Sequence, residues 1–260
     1  MIYAIGDIHG QKDMLDHALT LIEADGGPDA EIVFLGDYTD RGPDSCGVIE
    51  TLIAGKAAGK NWHFIKGNHD KFFLDYVEQG VEHAPAVKSG ISWINPRLGG
   101  MATLASYGIT GTPILTRADE DALEFLQKYE TGDKVYSPQD IQDAAQQLVP
   151  KAQLDFIREL PLMHETDDLL FVHAGIRPGI PFDQQIELDL IWIRDGWLDD
   201  TRDHCKLVVH GHTALDAPQH YGNRVNLDGG AGYGRPLVPA VFEGRDCWLL
   251  TDAGRVPLKP

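Results

Sequence analysis

Asp, Asn and His recur at five places where an apolar run of this sequence stops: GDIHG at 6–10, GDYTDRG at 36–42, GNHD at 67–70, HAG at 173–175 and HGHT at 210–213. Residues of these types are donors for divalent and transition metal ions. Asp7 and His9 stand two apart, so both side chains point the same way from an extended segment, and Asp37, Asn68, His173 and His212 follow in the later clusters. Imidazoles, carboxylates and one amide oxygen suit Mn²⁺, Fe, Zn²⁺ or Co²⁺, whereas Cu⁺ prefers sulfur and Ca²⁺ an all-oxygen shell. The inventory is large enough for two ions sharing a carboxylate. Two such ions, roughly 3.5–4 Å apart, activate a water and neutralise phosphate oxygens during in-line attack. Arg41, directly after the second cluster, carries the planar fork that grips phosphate through two bonds.

A solitary Asp or His behind a strand is ordinarily a loop residue or a helix cap, so the weight lies in the repetition. By that standard Asp44 reads as an N-cap and His63 as a packed or surface histidine. His17, His83, His164, His204 and His220 show no local pattern.

The elements that must position these residues follow from periodicity. Apolar strands are predicted at 2–6, 31–36 and 62–67, with crossover helices between them: one carries Met14, Leu15, Ala18, Leu19 and Ile22 at three-to-four spacing, and one spans 46–56. Such alternation implies a largely parallel sheet covered on both faces. Further strands are predicted at 169–175, 206–212, 224–230, 237–243 and 247–252, the last three in an antiparallel or mixed arrangement between Gly-rich turns. Together they predict an α/β fold with two mixed sheets packed face to face and helices outside. In an α/β sheet the carboxyl ends of strands converge on one edge, which brings the five clusters into one cleft.

Residues 76–165 lack that alternation and are expected to form a mainly helical insertion or cap within a single domain spanning 1–260. The segment 89–100 reads as an irregular loop near a surface or cleft, while 118–130 and the stretch after Ser137 and Pro138 read as helices.

Composition bounds the rest. The 260 residues, 43% hydrophobic, suffice for one sizeable core. The formal net charge of −18 disfavours nucleic acid as a partner and requires a locally neutralised site for any anionic substrate. Three cysteines without a CxxC pair fit a reducing compartment, and no basic leader or long apolar run is present, so a cytoplasmic protein is expected and a membrane partner is not. Oligomeric state has no signal.

The five ordered motifs resemble the metal-binding signature of the calcineurin-like metallophosphoesterases, in particular the PPP-type serine/threonine protein phosphatases and their small bacterial and phage relatives. IWIRDGWL at 191–198 and NLDGGAGYG at 226–234 are similar to stretches of those small relatives. The resemblance implies one ion on Asp7 and His9, a bridging Asp37, and a second ion on Asn68, His173 and His212, with Mn²⁺ the expected metal. It implies His69 as general acid, oriented by Asp40, with Arg41 and Arg194 gripping phosphate oxygens. His210 has no fixed ligand role in that pattern. GNHD, ending in Asp70, replaces the GNHE of many phosphatases and occurs in related diadenosine-tetraphosphate hydrolases, whose second motif often lacks the aspartate that Asp40 supplies. The resemblance thus implies a serine/threonine protein phosphatase acting on a phosphorylated protein, peptide or small phosphoester. The alternatives are a dinucleoside polyphosphate or other nucleotide hydrolase, with Trp93, Trp192 or Trp197 as stacking surfaces for a base, and a non-catalytic module on the same fold.

Overall fold

The computed structural model describes residues 1–110, 112–116, 126–131 and 134–260. Its first third is strand β1 (Ile2–Ile5), helix α1 (Lys12–Gly26), β2 (Ile32–Phe34), α2 (Ser45–Ala57), β3 (Trp62–Phe64) and α3 (Asn68–Gln79). The three strands run parallel, as the alternation required. Asp44 caps α2, its side chain accepting from the Gly47 N–H at 2.8 Å.

The second half supplies β7 (Met163–Glu165), β8 (Leu169–Val172), α7 (Glu187–Trp192), β9 (Leu207–His210), β10 (Gln219–His220), β11 (Arg224–Asn226), β12 (Ala240–Glu243), β13 (Asp246–Thr251) and β14 (Gly254–Leu258). Two mixed sheets result, in the orders β14-β13-β12-β1-β2-β3 and β10-β11-β9-β8-β7. The predicted antiparallel arm is split between them: β12 pairs antiparallel with β1 and is followed by β13 and β14, each antiparallel to its neighbour, while β11 joins β9 in parallel in the second.

Strand alternation sorts the side chains into layers. Ala4, Val33, Leu35 and Ile65 of the first sheet meet Leu169, Phe171, Val209 and Val225 of the second between the sheets. Tyr3, Ile5, Ile32 and Phe34 point the other way, onto Leu15, Ala18 and Ile22 of α1 and Val48, Ile49 and Leu52 of α2. On the far side Leu170, Val172 and Val208 pack under Leu190, Ile191 and Trp197. Each of the Val, Leu, Ile and Phe side chains contributes about 1.5–3 kcal/mol by burial, so strand register is fixed from both faces.

Between α3 and β7 lie α4 (Gly100–Ser106), β4 (Thr112–Thr116), β5 (Leu126–Thr131), β6 (Lys134–Tyr136), α5 (Pro138–Leu148) and α6 (Lys151–Arg158). The helix expected after Ser137 is α5, with Ser137 as its cap and Pro138 in its first turn. The helix expected over 118–130 is corrected: Leu126–Thr131 is a strand of a three-stranded antiparallel sheet, and 118–125 lie outside the described residues. Good helix formers there yield to backbone pairing with β4 and β6, since single-residue propensities are weak. α4 packs on α2, and α5 and α6 on α3. No helix among the described residues is long and apolar enough to cross a membrane.

Candidate metal centre

All five polar clusters lie at the carboxyl ends of β1, β2, β3, β8 and β9, and the backbone there is bent sharply. Among the described residues six that are not glycine have positive φ, and five of them are here: His9 (48°), Asp37 (52°), Asp40 (76°), Arg41 (68°) and His212 (66°). Left-handed backbone costs an L-residue roughly 1–2 kcal/mol, and hydrogen bonds between the motifs hold it in place. Ile8 and His9 both donate to the Asp37 carbonyl (3.1 and 2.8 Å), and Gly10 donates to that of Tyr38 (2.9 Å). Two glycines are dictated by proximity: a Cβ on Gly67 would lie 2.1 Å from Asp37 Oδ1, and one on Gly211 would lie 1.9 Å from Asp7 Oδ1.

Asp37 stands between two groups of imidazoles. Its Oδ2 is 3.6 Å from His9 Nε2 and its Oδ1 is 3.4 Å from His173 Nε2. Asn68 Oδ1 lies 2.9 Å from His173 Nε2 and 2.7 Å from His212 Nδ1. The Asp7 carboxylate accepts from the His212 N–H at 3.0 and 3.1 Å. His9 Nδ1 sits 2.7 Å from the Thr39 carbonyl and His173 Nδ1 sits 2.8 Å from that of Leu35. A carbonyl only accepts, so each Nδ1 is the protonated nitrogen, and the Nε2 lone pair is left facing Asp37. His212 Nε2 is buried without a hydrogen-bond partner among the described residues.

Buried donors aimed at a common space fit two divalent ions. Asp7, His9 and Asp37 would hold one, and Asp37, Asn68, His173 and His212 the other. Electrostatics agree. Burial, then the carboxylates of Asp228 and Asp37, holds Asp7 well above the usual carboxylate range, and burial and then Asp70 do the same to Asp37. Burial pushes His173 down to about 3, and burial followed by Arg41 depresses His9. Such a site resists bare negative charge and keeps its imidazoles neutral, the form that binds metal.

Beside these donors, His69 Nδ1 and Asp40 Oδ2 are 2.5 Å apart. Trp93 Nε1 donates to the same Oδ2 and Thr103 Oγ1 to Oδ1, each at 2.7 Å. Burial pushes Asp40 up to about 7 against these stabilising bonds, while burial, then Arg41, depresses His69. His69 Nε2 faces Arg41 Nη2 at 3.1 Å, and Arg41 Nη1 contacts His9 Nε2. The Arg41 guanidinium lies 4.9 Å from the centre of the Tyr233 ring. Arg194 reaches the centre from the other side, Nη2 donating to the His212 carbonyl at 3.2 Å.

The sequence profile of the calcineurin-like phosphoesterases matches residues 1–234. This chain belongs to that family. Calcineurin-like phosphoesterases are hydrolases with a dinuclear divalent metal centre. The asymmetrical bis(5'-nucleosyl)-tetraphosphatase PrpE of Anoxybacillus flavithermus is 26% identical over 92% of this chain and 89% of its own length. The symmetrical bis(5'-nucleosyl)-tetraphosphatase of Janthinobacterium sp. is 28% identical, over 68% of this chain and 44% of its own length. A crystal structure described as a candidate diadenosine tetraphosphatase superposes with a TM-score of 0.61 at 21% identity, covering 99% of this chain and 93% of that one, a likeness of fold.

Within this calcineurin-like centre the structure brings together Asp7, His9, Asp37, Asp40, Arg41, Asn68, His69, His173, Arg194 and His212. His210 stays apart: its Nδ1 faces the Gly211 carbonyl at 3.0 Å and its Nε2 faces Arg224 at 3.2 Å. Two of the three proposed stacking tryptophans are corrected. Trp93 and Trp197 are fully buried, so they pack, and Trp93 orients Asp40. Trp192 alone of the three lines the cleft.

Four residues have roles at the centre that the sequence reading did not assign to them. Asp70 accepts from the N–H groups of Asp37, Tyr38 and Gly67 at 2.8–2.9 Å, which fixes the second motif against the third. Asp228, buried, faces Asp7. Thr103 holds Asp40, and Tyr233 covers Arg41. The NLDGGAGYG stretch was the one signal for Asp228 and Tyr233, and Thr103 had none.

Proposed function

We propose that this chain hydrolyses nucleotide polyphosphates, with dinucleoside tetraphosphates as the substrate class. The observation that carries this is the shape and chemistry of the cleft, about 850 Å³, that opens over the centre. Arg41 and Arg194 border its metal-binding end, the exposed Lys88 and Arg97 also line it, and Trp192 and the 55% exposed Leu188 give it an apolar surface. Cations and flat apolar surface in one cleft match a phosphate chain that ends in a base. Their concentration here supplies the locally neutralised site that an anionic substrate needs on a chain of net charge −18. The two curated relatives named above are tetraphosphatases, which supports the same reading.

When bound, the two divalent ions, with Mn²⁺ our choice for assay, supply an activated water and neutralise phosphoryl charge. Arg41 and Arg194 hold non-bridging oxygens of the reacting phosphoryl group in line for attack. Asp40 fixes the His69 ring through Nδ1, and in its doubly protonated imidazolium form His69 gives the Nε2 proton to the departing oxygen and returns to the neutral imidazole. Trp93 and Thr103 keep that carboxylate from rotating.

A second reading, phosphoprotein phosphatase, is favoured by the intact Asp40–His69 pair, because an alkoxide leaving group needs a proton more than a phosphate does. Rates on diadenosine tetraphosphate, a phosphoserine peptide and 4-nitrophenyl phosphate, measured side by side with Mn²⁺, decide between them. The tetraphosphate is expected to lead in kcat/KM by at least about tenfold, a difference of 1.4 kcal/mol. A dominant rate on the phosphopeptide overturns the proposal in favour of the second reading.

A further inference from the structure

Away from the catalytic cleft, Glu31, His63 and His164 bring ligand atoms within 4.8 Å of one another. Glu31 immediately precedes β2, His63 is the middle residue of β3, and His164 is the middle residue of β7. β3 is the last strand of one sheet and β7 the last of the other, so the cluster joins the two open edges on that side of the sandwich. The Lys66 N–H, donating to the Pro161 carbonyl at 2.9 Å, holds the same edges together nearby.

His63 Nε2 is 3.2 Å from Glu31 Oε1, close to the distance between two ligands of one tetrahedral ion whose bonds are about 2.0–2.2 Å. The rings of His63 and His164 lie 4.0 Å apart at 20°. An ion pair between Glu31 and His63 accounts for the first contact only. It leaves His164 Nε2, buried and without a hydrogen-bond partner among the described residues, with nothing to satisfy its polar character. Buried polar atoms in folded proteins are rarely left so.

We propose that Glu31, His63 and His164 form a third divalent-metal site, of the zinc class, that ties the edge of one sheet to the edge of the other. Two imidazoles and a carboxylate are a zinc donor set with the fourth position left to water. The side chains of His63 and Glu31 are 34% and 31% exposed, which leaves both room to rotate the short distance that closes the triangle. An ion there satisfies His164 Nε2 and compensates the Glu31 charge together. It also covers a place where the edge strands of both sheets are partly exposed to solvent, a liability that proteins ordinarily cover.

The test counts metal. Chelator-stripped protein, dialysed against Zn²⁺ and assayed for bound zinc, is compared with His63→Ala, His164→Ala and Glu31→Gln. Wild type is expected to hold one more zinc per chain than each variant, with affinity for that ion reduced about 100-fold or more in the variants. Phosphatase turnover with Mn²⁺ is expected to be equal in all four. Zn²⁺ should also raise the Tm of wild type more than that of any variant. Equal zinc content in wild type and any one of the three variants overturns the proposal. Glu31→Gln changes only a side chain that is about a third exposed, so the test survives if a histidine variant fails to fold.

Discussion

The floor of the catalytic cleft and its walls are built on opposite principles. On the floor, Asp7, His9, Asp37, Asn68, His173 and His212 are buried, and the backbone that carries them is bent and tied motif to motif. On the walls, Lys88, Arg97, Leu188 and Asp195 are exposed. There the Lys88–Asp195 pair, 2.7 Å apart with side chains 83% and 85% exposed, is the kind of contact that solvent screens. A rigid floor fixes reacting atoms to the tolerance that phosphoryl transfer demands. An exposed wall, carrying charge and flat surface, sets which substrate reaches it. Reaction and specificity therefore reside in different parts of the molecule and should separate under mutation.

The largest effect is expected on the floor. Asp37→Asn should lower both bound ions and turnover, the latter by about 10³-fold or more, with metal content and kcat measured on the same sample. His69→Asn should instead keep its metal while losing about 10²–10⁴-fold in kcat on a phosphoserine peptide, and less on a substrate whose leaving group is a phosphate. Matching metal loss in the two variants would erase the distinction between metal ligand and proton donor.

Acidification comes next. Asp7 and Asp37 are held above the usual carboxylate range by burial and neighbouring carboxylates, so the metal-free centre retains protons that binding must expel. Affinity should therefore rise with pH, by up to about tenfold per unit for each proton displaced. Calorimetry in buffers of different ionisation enthalpy reads that proton release directly, and uptake without it would contradict the raised values.

Trp93→Phe removes the 2.7 Å bond to Asp40 Oδ2 and should cut kcat about 10- to 100-fold with metal content unchanged. Arg97→Ala on the wall should have the smallest effect. It should raise KM for diadenosine tetraphosphate by about three- to tenfold and leave kcat on 4-nitrophenyl phosphate unaltered. Loss of aryl-phosphate turnover in that variant would show that floor and wall are coupled.

The floor was legible because each of its pieces is local. A strand period followed by Asp-x-His, Asp, Asn-His or His can be read within ten residues, and parallel strands must bring their carboxyl ends together. The support around it was not legible. Trp93 and Thr103 lie 53 and 63 residues from the Asp40 they hold. Trp93 reads equally well as a base-stacking surface until its burial is known. Asp70 looked like a variation in a motif; its three backbone bonds show a carboxylate organising the second motif from the start of α3. β5 was misread because isolated propensity favours helix in LEFLQKY, whereas pairing across a sheet depends on neighbours the local pattern does not contain.

By itself the sequence determined the first three strands with their two crossover helices, the donor types and the strand ends that carry them, because hydrophobic period and side-chain chemistry are properties of short segments. Only the tertiary structure decided which tautomer each histidine presents, which tryptophan faces the cleft, and that Glu31, His63 and His164 meet at two sheet edges. Those outcomes depend on contacts between residues distant along the chain, and their geometry exists only once both sheets have packed.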